Sequence, residues 1–294
     1  MVFVQALIRS DTDKGAVVIL DRRYKVEKID KSSKFSKKPD WDGSGIVDTV
    51  NEETAHEKET PPETESRVMI GYKNIVCFAN SHKYNGSCIA GKQLVEKGDK
   101  DWIRPVSAKQ MGEIYFSFDK STNKEPFDLL DIISVPIRKP FPNKYQTENY
   151  LIDEGKKWIY KRSLSISELP EYYDNEETIW INGYHSFVGY NDRIPIDLAF
   201  SECTTSLMLI QPAKVTINVD FEGTNKKKVR AKFQYNGTNY SFIVTDKIIR
   251  KEYINKNVGE YSLNLKIVSF CISISEPWQD YCYKLVAGVI GNQG

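Results

Sequence analysis

No two cysteines in this chain are spaced as CxxC, and the 294 residues include only three histidines, so the usual ligand sets for a zinc site are missing. The five cysteines, Cys77, Cys88, Cys203, Cys271 and Cys282, are scattered. Four lie in apolar runs such as NIVCFA and SFCISI, which suits buried free thiols in a reducing compartment better than disulfides. There is no GxxxxGK[ST] loop to cradle phosphates and no acidic box after one, which excludes an ATPase assembled from this chain alone. No apolar run approaches the ~20 residues that span a bilayer, and the start MVFVQALIRS has no basic region leading into a long apolar one. The expectation is a soluble, cytoplasmic protein with no membrane partner, no metal and no cofactor. Surplus charge is also lacking: the formal net charge is +1, with 11 Lys+Arg against 14 Asp+Glu in residues 1–66 and 30 against 26 in the rest. An excess that small cannot hold a polyanion by bulk attraction, so a nucleic-acid partner needs a local patch.

The chain does have aromatics: 17 Tyr and 13 Phe, amid many β-branched runs. That composition argues for a mainly β protein with one or two cores rather than a helical bundle. Three zones follow one another. Residues 1–30 hold two β-like runs, VFVQALI and GAVVILD, around SDTDKG. Residues 31–67 are polar and charged, contain a Pro-Pro pair and show no apolar face at the helical or the strand period, so they are expected to form a flexible, disordered linker. From residue 68 to 294, short apolar strands alternate with turn residues: NIVCFANS, SCIAGKQLV, DWIRPVS, LLDIISVPI and SLMLIQP. The run KKVRAKFQY puts Lys228, Arg230, Lys232 and Gln234 on one face and Val229, Ala231, Phe233 and Tyr235 on the other. It then meets Asn236-Gly237, a strong hairpin signal, before TNYSFIVTD returns. Between the strand-rich halves, NYLIDEGKKWIYKRSLSISELPEYY suits one or two short helices. The plan is a first barrel over about 70–140, a helical connector over about 141–204 and a second barrel over about 205–292. Closing each barrel would remove exposed edges.

The segments FANSHKYNGSCIAGKQL, WIRPVS, LLDIISVPI, YQTENYLID, SLMLI, FQYNGTNYSFIVTD and YKLVAGVI occur in an order that resembles the dual OB-containing domain. In this bacterial family two OB-type barrels stand in tandem, often in association with anti-phage conflict systems. The resemblance covers residues 73–290 and implies a nucleic-acid or nucleotide sensor, without conferring a chemistry.

OB barrels hold single strands by stacking bases on aromatics while a basic groove follows the phosphates. Candidate contacts are Ser81, His82 and Lys83, in SHK at a strand end, and Arg104, fixed by Pro105 in WIRPVS and suited to bidentate contact. Gln146 and Asn149 in YQTEN carry amides that can read a base edge. Lys228, Arg230 and Lys232, with Lys226 and Lys227, form the best positive strip. Each has a plainer reading. His82 can be a satisfied polar group, Trp102 and Trp158 core aromatics, and YQTEN a capped helix start. The lysine strip can be a solvated face that discourages edge pairing.

The stretch QALIRSDTDKGAVVILDRRY is similar to motif VI and the following strand of XPD/DinG-type superfamily 2 helicases. Ile8, Arg9, Ser10, Asp13, Gly15, Asp21 and Arg23 match in register, whereas the Gly-Arg pair after Gln5 is missing. Gln5 and Arg9 thus mark a motif VI-like remnant, the end of a motor that is missing through truncation, a split gene or a misassigned start; the other reading is a chance hairpin.

The leading expectation is a non-catalytic accessory or sensor module for single-stranded DNA or RNA, with a helicase motor polypeptide as a possible second partner. Two other readings stand beside it: a hydrolytic centre built from His82, Glu148 and Asp131, or part of a split helicase; and a protein-binding scaffold.

Overall fold

Strands form where β-branched and aromatic residues run between turn residues. The computed structural model describes residues 71–83, 86–95, 100–108, 127–223 and 226–293, except for the side chains of residues 82, 83, 86, 87 and 293. The motif VI-like residues Gln5 and Arg9 and the linker-like stretch 31–67 lie outside the described residues.

The first sheet comprises β1 (Gly71–Lys83), β2 (Gly86–Gln93), β3 (Trp102–Val106), β4 (Asp131–Pro140), β5 (Asn149–Ile152) and β6 (Ile159–Ser163). Its order is β1-β2-β3-β5-β4-β6, and a further pairing of β1 with β4 closes the first five strands into a ring. Strand β3 runs parallel to β5; the other pairs are antiparallel. Ile75, Ile89, Ile103, Ile133 and Val135 fill the ring together with Cys77.

The second sheet is built from β8 (Leu207–Ile210), β9 (Ala213–Glu222), β10 (Lys226–Tyr235), β11 (Thr238–Val244), β12 (Gly259–Ser262), β13 (Leu265–Ile274) and β14 (Tyr281–Gln293), and β7 (Arg193–Pro195) pairs with β14. The path is β12-β9-β10-β11-β14-β13-β8. Its inner five strands repeat the order of the first ring, with third and fifth again parallel. The protein is therefore mainly β, with two OB-like units in tandem. Asn236 and Gly237, at φ of 45° and 79°, form the tight turn between β10 and β11, where glycine carries the left-handed conformation without strain.

The expected helical stretch is only partly helical. A 3-10 helix, Ile166–Tyr172, is capped by Ser165 and Glu168, and α1 follows at Ile196–Glu202. NYLI and IYKRS, by contrast, are β5 and β6. Tertiary demand outweighs local pattern here: without β5 the ring would not close. A second α-helix, α2 (Lys247–Tyr253), follows β11 and is capped by Asp246, whose carboxylate accepts from the N–H groups of Ile248 and Ile249 at 3.0 and 2.9 Å.

The two units share an apolar seam. Val76, Phe78 and Ala90 of the first pack with Leu209, Cys271 and Ala287 of the second, and Leu169 and Tyr172 of the 3-10 helix join them. Strand β14 passes so close to β1 that a Cβ on Gly288 would lie 2.0 Å from the Phe78 carbonyl oxygen. Asp174 ties the same seam with polar bonds: Lys92 Nζ donates to it at 2.6 Å, Trp102 Nε1 at 3.1 Å and the Leu209 N–H at 2.8 Å. All five cysteines are free, and burial raises the Cys77 and Cys271 thiols well above their ordinary range, so both stay protonated.

Candidate functional site

A cavity of about 740 Å³ opens along this seam and takes walls from both units. From the first come Ser81 and Ala79 of β1, Arg104 of β3, Asn149 of β5 and, between β4 and β5, Phe141, Asn143 and Gln146. From the second come Thr245, residues Ser273 to Trp278, Leu285 and Ala287. The volume falls within the about 300–1,000 Å³ of ordinary small-ligand sites.

Local sequence explains how the polar groups arrive there. In the parallel β3–β5 pair, Arg104 lies opposite Asn149, so the two side chains emerge beside each other. Arg104 Nη2 sits 3.2 Å from Glu148 Oε1, with both side chains buried, and Glu148 is held in turn by the Ser206 hydroxyl. Asn149 Nδ2 donates to Gln146 Oε1 at 3.2 Å. After these bonds, Arg104 Nε and Asn149 Oδ1 remain buried without a hydrogen-bond partner. Such orphans cost ~1–3 kcal/mol each and call for an explanation.

The rim is aromatic. Phe141 is 47% exposed and Trp278 is 61% exposed. Trp278 is held by a tight turn in which it exchanges backbone hydrogen bonds with Tyr281, at 2.8 and 3.2 Å, while Gln279 and Asp280 take positive φ. The lining thus combines buried polar groups with exposed aromatic rings.

Residues 73–289 match the family model of the dual OB-containing domain. The chain belongs to this family. No curated protein matches it. Among solved structures, that of the tetrameric p202 HIN2 is similar at 11% identity and a TM-score of 0.29, covering 75% of this chain and 92% of that one, a level that carries no argument about function.

Within this dual OB-containing domain, Ser81, Arg104, Gln146 and Asn149 come together around one cavity. The side chains of His82 and Lys83 lie outside the described residues. The lysine strip is not a uniform cationic face. Arg230 is buried: its Nε and Nη2 donate to the Glu222 carboxylate at 2.6 and 3.0 Å, and Nη1 donates to Asp192 Oδ2 at 3.1 Å and to the Ser241 carbonyl at 3.0 Å. Its charge is neutralised inside the fold, pinning the 186–192 loop to β9 and β10. Lys232 pairs with Glu260, leaving Lys228 as the member of the trio with no ion-pair partner among the described residues. Glu148 and Asp131, considered for a hydrolytic centre, have structural partners: Glu148 faces Arg104, and Asp131 accepts from the Ser163 hydroxyl at 2.8 Å and the Asp128 N–H at 2.9 Å. Among the described residues, no cluster of His, Cys, Asp or Glu could hold a metal, and no helix is long and apolar enough to cross a membrane.

Sequence reasoning missed Phe141 and Trp278. The Pro-Trp pair in SEPWQDY, between two strand-like runs, is the signal that could have found the second: a tryptophan in a turn has little core to enter.

Proposed function

We propose that this dual OB-containing domain is a non-catalytic nucleic-acid-binding module whose single-stranded partner, DNA or RNA, crosses the mouth of the cavity between the two units. The observation that carries the reading is the pairing of two exposed aromatic rings, Trp278 and Phe141, with an arginine- and amide-bearing floor in one cavity. Bases stack on exposed rings for ~1–3 kcal/mol each, and every base has a face to offer. In this reading Lys83 and Lys228 are further candidate phosphate contacts. The similarity of residues 1–30 to a helicase end supports a motor polypeptide as second partner, in a phage-defence setting; loss of motor co-purification on deletion of residues 1–30 tests that part.

The main test is retention of short ssDNA and ssRNA by the full chain as salt is raised. Affinity should fall with salt, and Trp278→Ala with Phe141→Ala should weaken it about fivefold or more. Arg104→Lys keeps the charge beside Glu148 but loses the planar fork, so it should weaken retention of base-bearing strands. Absence of salt-dependent retention of either strand at low ionic strength refutes the reading; salt-insensitive capture of a protein partner instead favours a scaffold.

A further inference from the structure

The geometry points to a pocket for one unpaired nucleobase, read along its Watson–Crick edge by Arg104 and Asn149. This rests on the strand-binding reading above and sharpens it, from a strand crossing a cavity to a base entering it.

Four observations converge. Arg104 Nε is a donor and Asn149 Oδ1 an acceptor, both buried and both without partners. They belong to residues opposite each other on paired strands, so the two side chains leave the sheet at neighbouring positions. Both groups are planar. Their complement is a flat ring that presents an acceptor next to a donor. The Nδ2 bond to Gln146 fixes which end of the Asn149 amide is satisfied and leaves its oxygen for a ligand. Both atoms are closed off from solvent, so binding requires the two side chains to turn toward the cavity they line, Arg104 about its contact with Glu148 and Asn149 about its bond to Gln146.

The charge pattern selects against a polyphosphate. Arg104 is the sole cation among the described lining residues, and Glu148 already balances it. A neutral ring fits that floor better than a cluster of phosphates, whose negative charge would meet the Glu276 carboxylate of the lining as well. The remaining walls mix small apolar side chains, such as Ala79, Ala90 and Ala287, with hydroxyls such as Thr245 and Ser273, and Trp278 and Phe141 offer faces for the inserted ring or its neighbours.

Each of the four bases carries an adjacent acceptor and donor on its Watson–Crick edge: N1 and the 6-amino group in adenine, N3 and the 4-amino group in cytosine, O6 and N1–H in guanine, O4 and N3–H in uracil. Two consequences follow. The pocket accepts any base but rejects one whose edge is paired, so it distinguishes single strands from duplex by chemistry rather than by groove shape. It also rejects a base methylated on that edge, such as 3-methylcytosine, where the acceptor is lost.

The test uses the full chain and three short strands of equal length and phosphate number: one with bases throughout, one with an abasic site at every position, and one with 3-methylcytosine, whose ring is a cation at neutral pH and so also meets the Arg104 charge, as its only base among abasic sites. A fourth strand, with a single cytosine in the same place, is the reference. The single cytosine should tighten binding about tenfold over the fully abasic strand, and the methylated base should not. Asn149→Leu should remove the gain from cytosine over the abasic strand; a melting curve matched to wild type confirms its fold. Because Asn149 is buried, Trp278→Ala, at an exposed site, supplies a second variant that should also shrink the gain. Equal binding of the cytosine, methylcytosine and abasic strands overturns the pocket but leaves strand binding intact. If no strand binds, the strand-binding reading fails, and titration with free cytidine then decides the pocket: cytidine binding that Asn149→Leu abolishes upholds it, and no binding overturns it.

Discussion

Replacing Gly288 by alanine probes how the two OB-like units are joined. Gly288 lies on β14 opposite Cys271, and an added Cβ would fall 2.0 Å from the Phe78 carbonyl oxygen, 3.1 Å from its carbon and 3.4 Å from Ala79 Cα. These are backbone atoms at the β1 irregularity between Cys77 and Ala79, so no side chain can swing aside. The closest ordinary carbon–oxygen contacts are about 3.3 Å, so β1 and β14 would have to part by more than an ångström. That gap opens within the seam holding Phe78, Leu209, Cys271 and Ala287. Overpacking costs ~1–3 kcal/mol, and a gap of this size forfeits up to about half of each dispersion contact across it. Against this, alanine loses less backbone entropy than glycine on folding, by about 0.5–1 kcal/mol. The net expectation is a loss of about 2–3 kcal/mol, or about 4–12 °C in melting temperature for a body of this size. The assay is thermal unfolding monitored by tryptophan fluorescence, with Gly71→Ala as the control because nothing lies within 4 Å of a Cβ there. If Gly288→Ala melts together with Gly71→Ala, the close crossing of the two strands is wrong.

Lys284 should give the fold a pH dependence of its own. Its Nζ is buried and donates to the carbonyls of Ile179 and Ile181 at 2.9 and 2.7 Å, and burial lowers its pKa from 10.5 to about 7 despite the Asp192 carboxylate. Between those values the unfolded chain holds a proton that the folded chain lacks, so this residue makes stability rise with pH across the window and weighs most heavily below about pH 7. Urea midpoints from pH 6.5 to 9.5 should therefore climb less in Lys284→Met than in wild type; parallel slopes would refute the assignment. Arg230→Met should destabilise the protein by ~3–5 kcal/mol because it leaves Glu222 and Asp192 without their partner. Lys232→Glu, at a half-exposed pair, should cost about 1 kcal/mol or less. Thermal melting separates the two, and an Arg230→Met protein as stable as wild type would show that the arginine is not structural.

The strands were readable where period and punctuation agree. KKVRAKFQY followed by Asn236-Gly237 reads as half of a hairpin, and Val229, Ala231, Phe233 and Tyr235 are indeed its buried face. The opposite face was misjudged at one position. Alternation places Arg230 with Lys228 and Lys232, but it cannot show that the 186–192 loop folds over that face and buries the arginine against Asp192. The strands β5 and β6 were hidden for a similar reason: NYLI and IYKRS are too short to show a period, and their conformation is decided by the edges they pair with.

Composition and local pattern thus settled the class, the free thiols, the tight turn and the tandem plan, because each depends on residues near one another in the chain. Ser81, Arg104, Gln146 and Asn149 were also identifiable as residue types suited to binding. That they line one cavity, and that Phe141 and Trp278 stand at its mouth, was decided only when β1, β3 and β5 closed the first ring and β14 docked against β1 across Gly288. The same docking left Arg104 Nε and Asn149 Oδ1 without partners. A donor's satisfaction depends on every group that surrounds it in space, and those groups come from segments more than a hundred residues apart in the chain.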